Sequence, residues 1–186
     1  IRSIQSFDSK YDTGRALVNN DNQDFPNFTA QENLGKNLFL APPQFDANSS
    51  RIGGGVGCAG CHNAPEFDID PNSLNNAIIG IINNPIAIDI TNTRAPSLRN
   101  LTKQDGTLNS PLMHTGNLST LQAAIGHYNT INIAAGNTNL DPRLKPNGIS
   151  QKLNMTGTEI SALQAFLVTL AGNDVYTNPK WSNPFH

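Results

Sequence analysis

Five consecutive residues, Cys58-Ala59-Gly60-Cys61-His62, limit what this chain can become. They read C-x-x-C-H, two thiols two residues apart with an imidazole directly after them. That spacing suits covalent attachment of a c-type haem. Each thiol forms a thioether with one vinyl group of a single porphyrin, and His62 is placed to bind the iron as proximal axial ligand. These are the only two cysteines in 186 residues. A thioredoxin-like redox pair would want a βαβ context and would leave His62 without a role. A structural zinc site needs two more ligands, and only His114, His127 and His186 remain, at no metal-type spacing. A disulfide would strain across two residues. Gly55 to Gly60 also matches G-x-G-x-x-G, but residues 46–54 are polar and glycine-rich, so the strand that a dinucleotide fingerprint requires does not precede it.

The rest of the composition narrows the setting. A chain of this length predicts one domain, residues 1–186, with residues 1–28 as an N-terminal helix and loop leading in. The net charge of −2 argues against nucleic acid as partner. Hydrophobic content is 37%, which predicts a thin core with much irregular loop and a haem supplying apolar bulk. No apolar run approaches the roughly 20 residues of a membrane span. The chain opens at Ile1 without a Met, which reads as a processed or trimmed product. Haem attachment to C-x-x-C-H takes place outside the bacterial cytoplasm, so a periplasmic or extracellular location is expected.

Three capping boxes punctuate the chain. Thr29 and Glu32 open a helix over about 29–40, with Leu34, Leu38 and Phe39 on one side. Gly35 on that side would let another helix approach. Ser119 and Gln122 open a second, whose Leu121, Ala124, Ile125 and Tyr128 fall on one face. Thr156 and Glu159 open a third over 156–171, with Ile160, Leu163, Phe166, Leu167 and Leu170 as its stripe and Gly172 as its stop. Met155 and Ile160 stand in the hydrophobic-staple arrangement. Ile1, Ile4, Phe7 and Tyr11 suggest a short helix over 1–14. Residues 41–57 read as a flexible approach to the haem motif, Ala77 to Ile82 as an apolar run too brief to assign, and residues 92–100 as extended. The expected fold is all-α, a cytochrome c-like haem domain with long irregular loops, in which the 29–40 helix crosses the 156–171 helix.

An iron that only carries electrons needs a sixth ligand. Methionine sulfur is soft and favours Fe(II). Met113 lies in the loop Pro111-Leu112-Met113-His114, whereas Met155 is accounted for as a staple. Tyr128 reads as core on its helical stripe and His127 as a flank beside it. Arg94 and Arg99 are the expected haem-propionate partners, because guanidinium binds carboxylate in a fork.

These pieces together carry a family resemblance. SFDSKYDTG, TAQENLGKNLF, CAGCH, NTRAPSLRN, SPLMHTGNLSTLQAAIGHY, MTGTEISALQAFLVTL and KWSNPF occur in this order over nearly the whole chain. The chain resembles the C-terminal haem half of bacterial di-haem cytochrome c peroxidases and the related MauG-type proteins. The resemblance implies an electron-transfer haem that takes electrons from a small redox protein and passes them to a second, peroxide-reducing haem in an N-terminal domain. One C-x-x-C-H implies a fragment, or a single-haem descendant, of such a protein. In the peroxidases the position of Tyr128 is the ligand methionine. In MauG-type members it is a tyrosine that binds iron, so the sixth position lies between Met113, Tyr128 and an open site or His127. His114 matches a histidine of an H-x-G element that reaches towards a haem propionate. The resemblance also implies calcium held partly by backbone oxygens at Asn109 and Pro111, with the remaining partner in a second domain. Three functions follow as expectations: electron transfer by one covalent haem c, a peroxidase or MauG-like oxidase acting with a second haem, and a haem-stabilised structural module of a surface assembly.

Overall fold

The computed structural model describes residues 5–91 and 97–182. A short helix α1, Lys10–Arg15, starts at Ser9, whose hydroxyl and the Asp12 carboxylate form a reciprocal capping box. The box, and not the expected 1–14 stripe, sets its start; residues 1–4 lie outside the described residues. Helix α2, Ala30–Leu40, opens on the Thr29/Glu32 box as its sequence predicts. Helix α3, Leu121–Asn129, begins one residue later than expected, because the Thr120 hydroxyl accepts from the Ala123 amide and Ser119 stays outside. Helix α4, Gly157–Val168, carries the Thr156/Glu159 box and ends on Thr169, short of Gly172. A last short helix, α5, covers Asp174–Thr177.

The all-α expectation does not hold. Three two-stranded antiparallel ladders lie between α2 and α3: β1 Pro43–Phe45 with β2 Arg51–Gly54, β3 His62–Asn63 with β4 Asp68–Ile69, and β5 Gly80–Ile81 with β6 Asn84–Ile88. The 41–57 approach is thus a hairpin. Chain reversal comes from residues in the left-handed region, Ser49 at φ 58°, Phe67 at φ 53° and Asn83 at φ 62°, which bring short segments back alongside themselves. Ala77 and Ile79 face inward, whereas Ile81, Ile82, Ile86 and Ile88 of the last hairpin are exposed.

Helices α2 and α4 form the frame of the core. They meet at Gly35, where an added Cβ would stand 1.9 Å from the Ala162 carbonyl oxygen. Leu38 and Phe39 face Leu163 and Phe166 across this contact, and all four are buried. Leu34 points outward instead, and the buried side of α2 carries Gly35 and Lys36. Lys36 Nζ donates to the Asp21 and Gln23 carbonyls and to Asn37 Oδ1, so a buried ammonium pins the 16–28 loop. Phe67 adds an aromatic hub, with its ring centroid 4.9 Å from Tyr11, 5.8 Å from Phe39 and 6.1 Å from Phe166. A smaller cluster of Ala77, Ile131, Leu140 and Leu144 lies beside Tyr128.

Candidate functional site

The haem motif is docked onto the C-terminal end of α2. That helix end leaves carbonyls without intrahelical partners. The Val56 amide takes the Leu38 carbonyl at 2.8 Å and the Gly57 amide takes that of Ala41 at 3.0 Å. Gly57 sits at φ 71°, and a Cβ there would lie 2.6 Å from Pro43 Cδ. Gly55, where a Cβ would lie 2.2 Å from the Ala41 carbonyl oxygen, and Gly57 therefore serve close backbone approach and not a dinucleotide fingerprint. Cys58–Gly60 then form one 3-10 turn, closed by the Cys61 amide on the Cys58 carbonyl at 3.1 Å. Both thiols are free.

His62 follows on β3, and the turn to β4 returns the chain beneath it. Its Nδ1 lies 3.3 Å from the Phe67 carbonyl oxygen. A carbonyl only accepts, so Nδ1 carries the proton and donates. Burial holds the imidazole pKa down, to about 4, so at neutral pH the ring keeps a lone pair at Nε2. An imidazole oriented by a backbone carbonyl through one nitrogen is the usual arrangement of a metal-binding histidine.

Cys58, Cys61, His62, Asn76, Met113 and Tyr128 are all only half-buried. Even so, burial is the leading cause of the shifts at four of them. It pushes the Cys58 thiol up to about 12 and the Tyr128 phenol up to about 12, raises Cys61, and lowers His62. Tyr128 lies close enough to Cys58 and Cys61 for both thiols to act on its phenol. The two thiols and one imidazole fit the attachment set of a single haem. Among the described residues no three His, Cys, Asp or Glu gather into a metal site, so the zinc reading finds no further ligands there.

The three candidates for a sixth ligand meet at Asn76, which the sequence did not single out. Its Nδ2 donates to Tyr128 Oη at 3.1 Å and lies 3.5 Å from Met113 Sδ, while its backbone carbonyl accepts from His127 Nε2 at 2.8 Å. Met113 is itself in the left-handed region at φ 65°, a conformation an unbranched apolar residue rarely adopts and one that clusters at functional sites.

The other expected residues lie elsewhere or are engaged. Arg99 is buried, and its fork is closed on Asp12, with Nη1 to Oδ2 at 2.9 Å and Nη2 to Oδ1 at 2.7 Å. Its remaining bonds go to the Pro65 and Ser6 carbonyls. Arg94 lies outside the described residues. His114 is exposed, and its Nε2 is 3.1 Å from the Gly80 carbonyl. Met155 is buried in the core that α4 faces. Asn109 uses its amide on the Asn100 carbonyl and Tyr176 Oη, and Pro111 is exposed.

A second unanticipated residue is Arg143. Its Nη1 donates to the Gly60 carbonyl at 2.5 Å, inside the C-x-x-C turn, across 83 positions of sequence. The only local sign is the Asp141-Pro142-Arg143 step that opens a 3-10 turn, which does not disclose the distant partner.

No family model and no curated protein matches this chain. Among solved structures it is similar to a MauG-like protein associated with microbial copper homeostasis. The sequence identity is 25% and the TM-score 0.58, over 97% of this chain and 53% of that one. The chain thus spans about half the length of that protein.

Proposed function

We propose that this chain binds one haem c through Cys58 and Cys61, with His62 as proximal ligand, and serves as the electron-transfer module of a cytochrome c peroxidase- or MauG-like protein. The observation that carries the reading is His62. Its Nδ1–H is spent on the Phe67 carbonyl, which leaves Nε2 as the donor beside two free thiols. Likeness to a MauG-like protein over nearly the whole chain supports it. When bound, the haem supplies the one-electron couple of its iron. The protein's own residues do the rest. Phe67 fixes the imidazole plane and the 3-10 turn presents both thiols. Met113 is the sixth ligand in this reading, since thioether sulfur is the softest donor available there. Tyr128 is the second reading, favoured by its place on the same Asn76 amide. The partner is a small redox protein or a second haem domain, and the setting is the bacterial periplasm or exterior.

Mass spectrometry after acid–acetone extraction tests attachment. The chain should carry one haem, and the Cys58→Ala, Cys61→Ala double variant none. Haem lost on extraction would remove the central claim. The ferric near-infrared spectrum then tests the sixth position. Met113→Ala should abolish a sulfur-to-iron band and Tyr128→Phe should leave it. The reverse result transfers the ligand to Tyr128. Fast peroxide turnover by the isolated chain would exclude the electron-transfer reading.

A further inference from the structure

We propose that Arg143 is the positioning residue of the haem-attachment turn, pinning Gly60 between the two thiols and setting a standing positive charge beside Cys61 and His62 that raises the reduction potential. The inference rests on haem binding as proposed above.

Arg143 is itself held before it touches the turn. Asp141, 3% exposed, accepts Nε at 2.9 Å and Nη2 at 2.8 Å, and its carboxylate also caps the Arg143 and Leu74 amides. Nη2 donates to the buried Ser73 hydroxyl at 2.8 Å, and Nη1 to Asp70 Oδ2 at 2.9 Å. One direction is left for the remaining bond, and it ends on the Gly60 carbonyl at 2.5 Å. Gly60 is the residue directly before Cys61, and its peptide orientation governs how both thiols are presented. An added Cβ at Gly60 would meet only Arg143 Cδ, at 4.0 Å, so what the turn needs at this point is the carbonyl's fixed direction and not a missing side chain.

Arg143 also brings a charge to this turn. A guanidinium stays protonated throughout the working pH range, and this one is bound tighter still, chiefly by its bond to Asp141. It faces Asp141 and Asp70, which offset part of its field. Its Nη1 stands on the Gly60 carbonyl, one residue before Cys61 and two before His62. A positive charge favours the state carrying the extra electron. Removing Arg143 also leaves two carboxylates uncompensated, so both changes push the potential the same way.

The experiment uses the haem-loaded chain and reads haem stoichiometry and midpoint potential side by side. Arg143→Gln, which keeps a donor and drops the charge, should lower the midpoint. Arg143→Lys should restore most of it. Asp70→Asn removes one opposing charge from the surface without disturbing the core, so it should raise the midpoint, and it stands as the deciding variant if Arg143→Gln fails to fold. An Arg143→Gln midpoint equal to that of the wild type, an Arg143→Lys midpoint as low as that of Arg143→Gln, or an Asp70→Asn midpoint that does not rise overturns the proposal. A wild-type chain without covalent haem overturns the haem reading and this inference with it, and stoichiometry tells that failure from the others.

Discussion

Replacing Gly35 with alanine should destabilise the fold although alanine is the better helix former. The added Cβ would lie 1.9 Å from the Ala162 carbonyl oxygen, 2.5 Å from its carbonyl carbon and 2.9 Å from Phe166 Cβ. Ordinary contact starts near 3.4 Å, so α2 and α4 must part by about 1.5 Å at their crossing. The obstructing atoms are backbone and cannot rotate away. Separation there loosens Leu38 and Phe39 against Leu163 and Phe166. Overpacking of this kind costs about 1–3 kcal/mol, and a rigid obstacle places it at the upper end. The gain in helix propensity returns about 1 kcal/mol, leaving a net loss of about 2 kcal/mol, a sizeable part of the 5–15 kcal/mol that holds a domain together. Urea unfolding of the haem-loaded chain, followed by far-ultraviolet circular dichroism, reads this as a lower midpoint at unchanged slope. A Gly35→Ala variant as stable as the wild type would show that the two helices do not touch backbone to backbone.

Acid should find Asp12. Burial pushes its carboxyl up, but the bonds from Arg99 and Ser9 outweigh that and hold the pKa below the usual range. A depressed carboxyl contributes stability above its unfolded value of about 3.9 and loses it as the pH falls through the folded one. Unfolding free energy should therefore drop below about pH 4 in the wild type, and a pH series on Asp12→Asn should be flatter there; identical slopes would mean the Arg99 fork is idle. Asn76→Leu removes the donor shared by Met113 and Tyr128 and should give a ferric spectrum with mixed ligation, whereas an unchanged spectrum would mean that the amide does not order the sixth position.

What the sequence disclosed was what short range decides. Thr29/Glu32 and Thr156/Glu159 close their hydrogen bonds within three residues, so α2 and α4 could be read directly. Thr120 and Ser119 are both competent caps at adjacent positions, and local sequence does not choose between them. The ladders escaped notice because strands of two to five residues show no alternation; they are held by turn conformation at Ser49, Phe67 and Asn83. The C-x-x-C-H motif is local and legible. Its surroundings are not. Asn76 reaches Tyr128 across 52 positions, Arg99 reaches Asp12 across 87, and Arg143 reaches Gly60 across 83. A guanidinium fork seeks a carboxylate, which is why Arg99 reads as a propionate partner in the sequence, and the carboxylate it has here is that of Asp12 in the chain itself.

Phe67 belongs to two worlds at once. Its ring sits among Tyr11, Phe39 and Phe166, while its carbonyl accepts from His62. A shift of the aromatic hub that carries the Phe67 backbone with it would therefore tilt the imidazole. In a haem-loaded chain the colour of the protein becomes a strain gauge for its own interior. A cavity cut at Phe166 should register in the visible spectrum of the haem-loaded chain through this link.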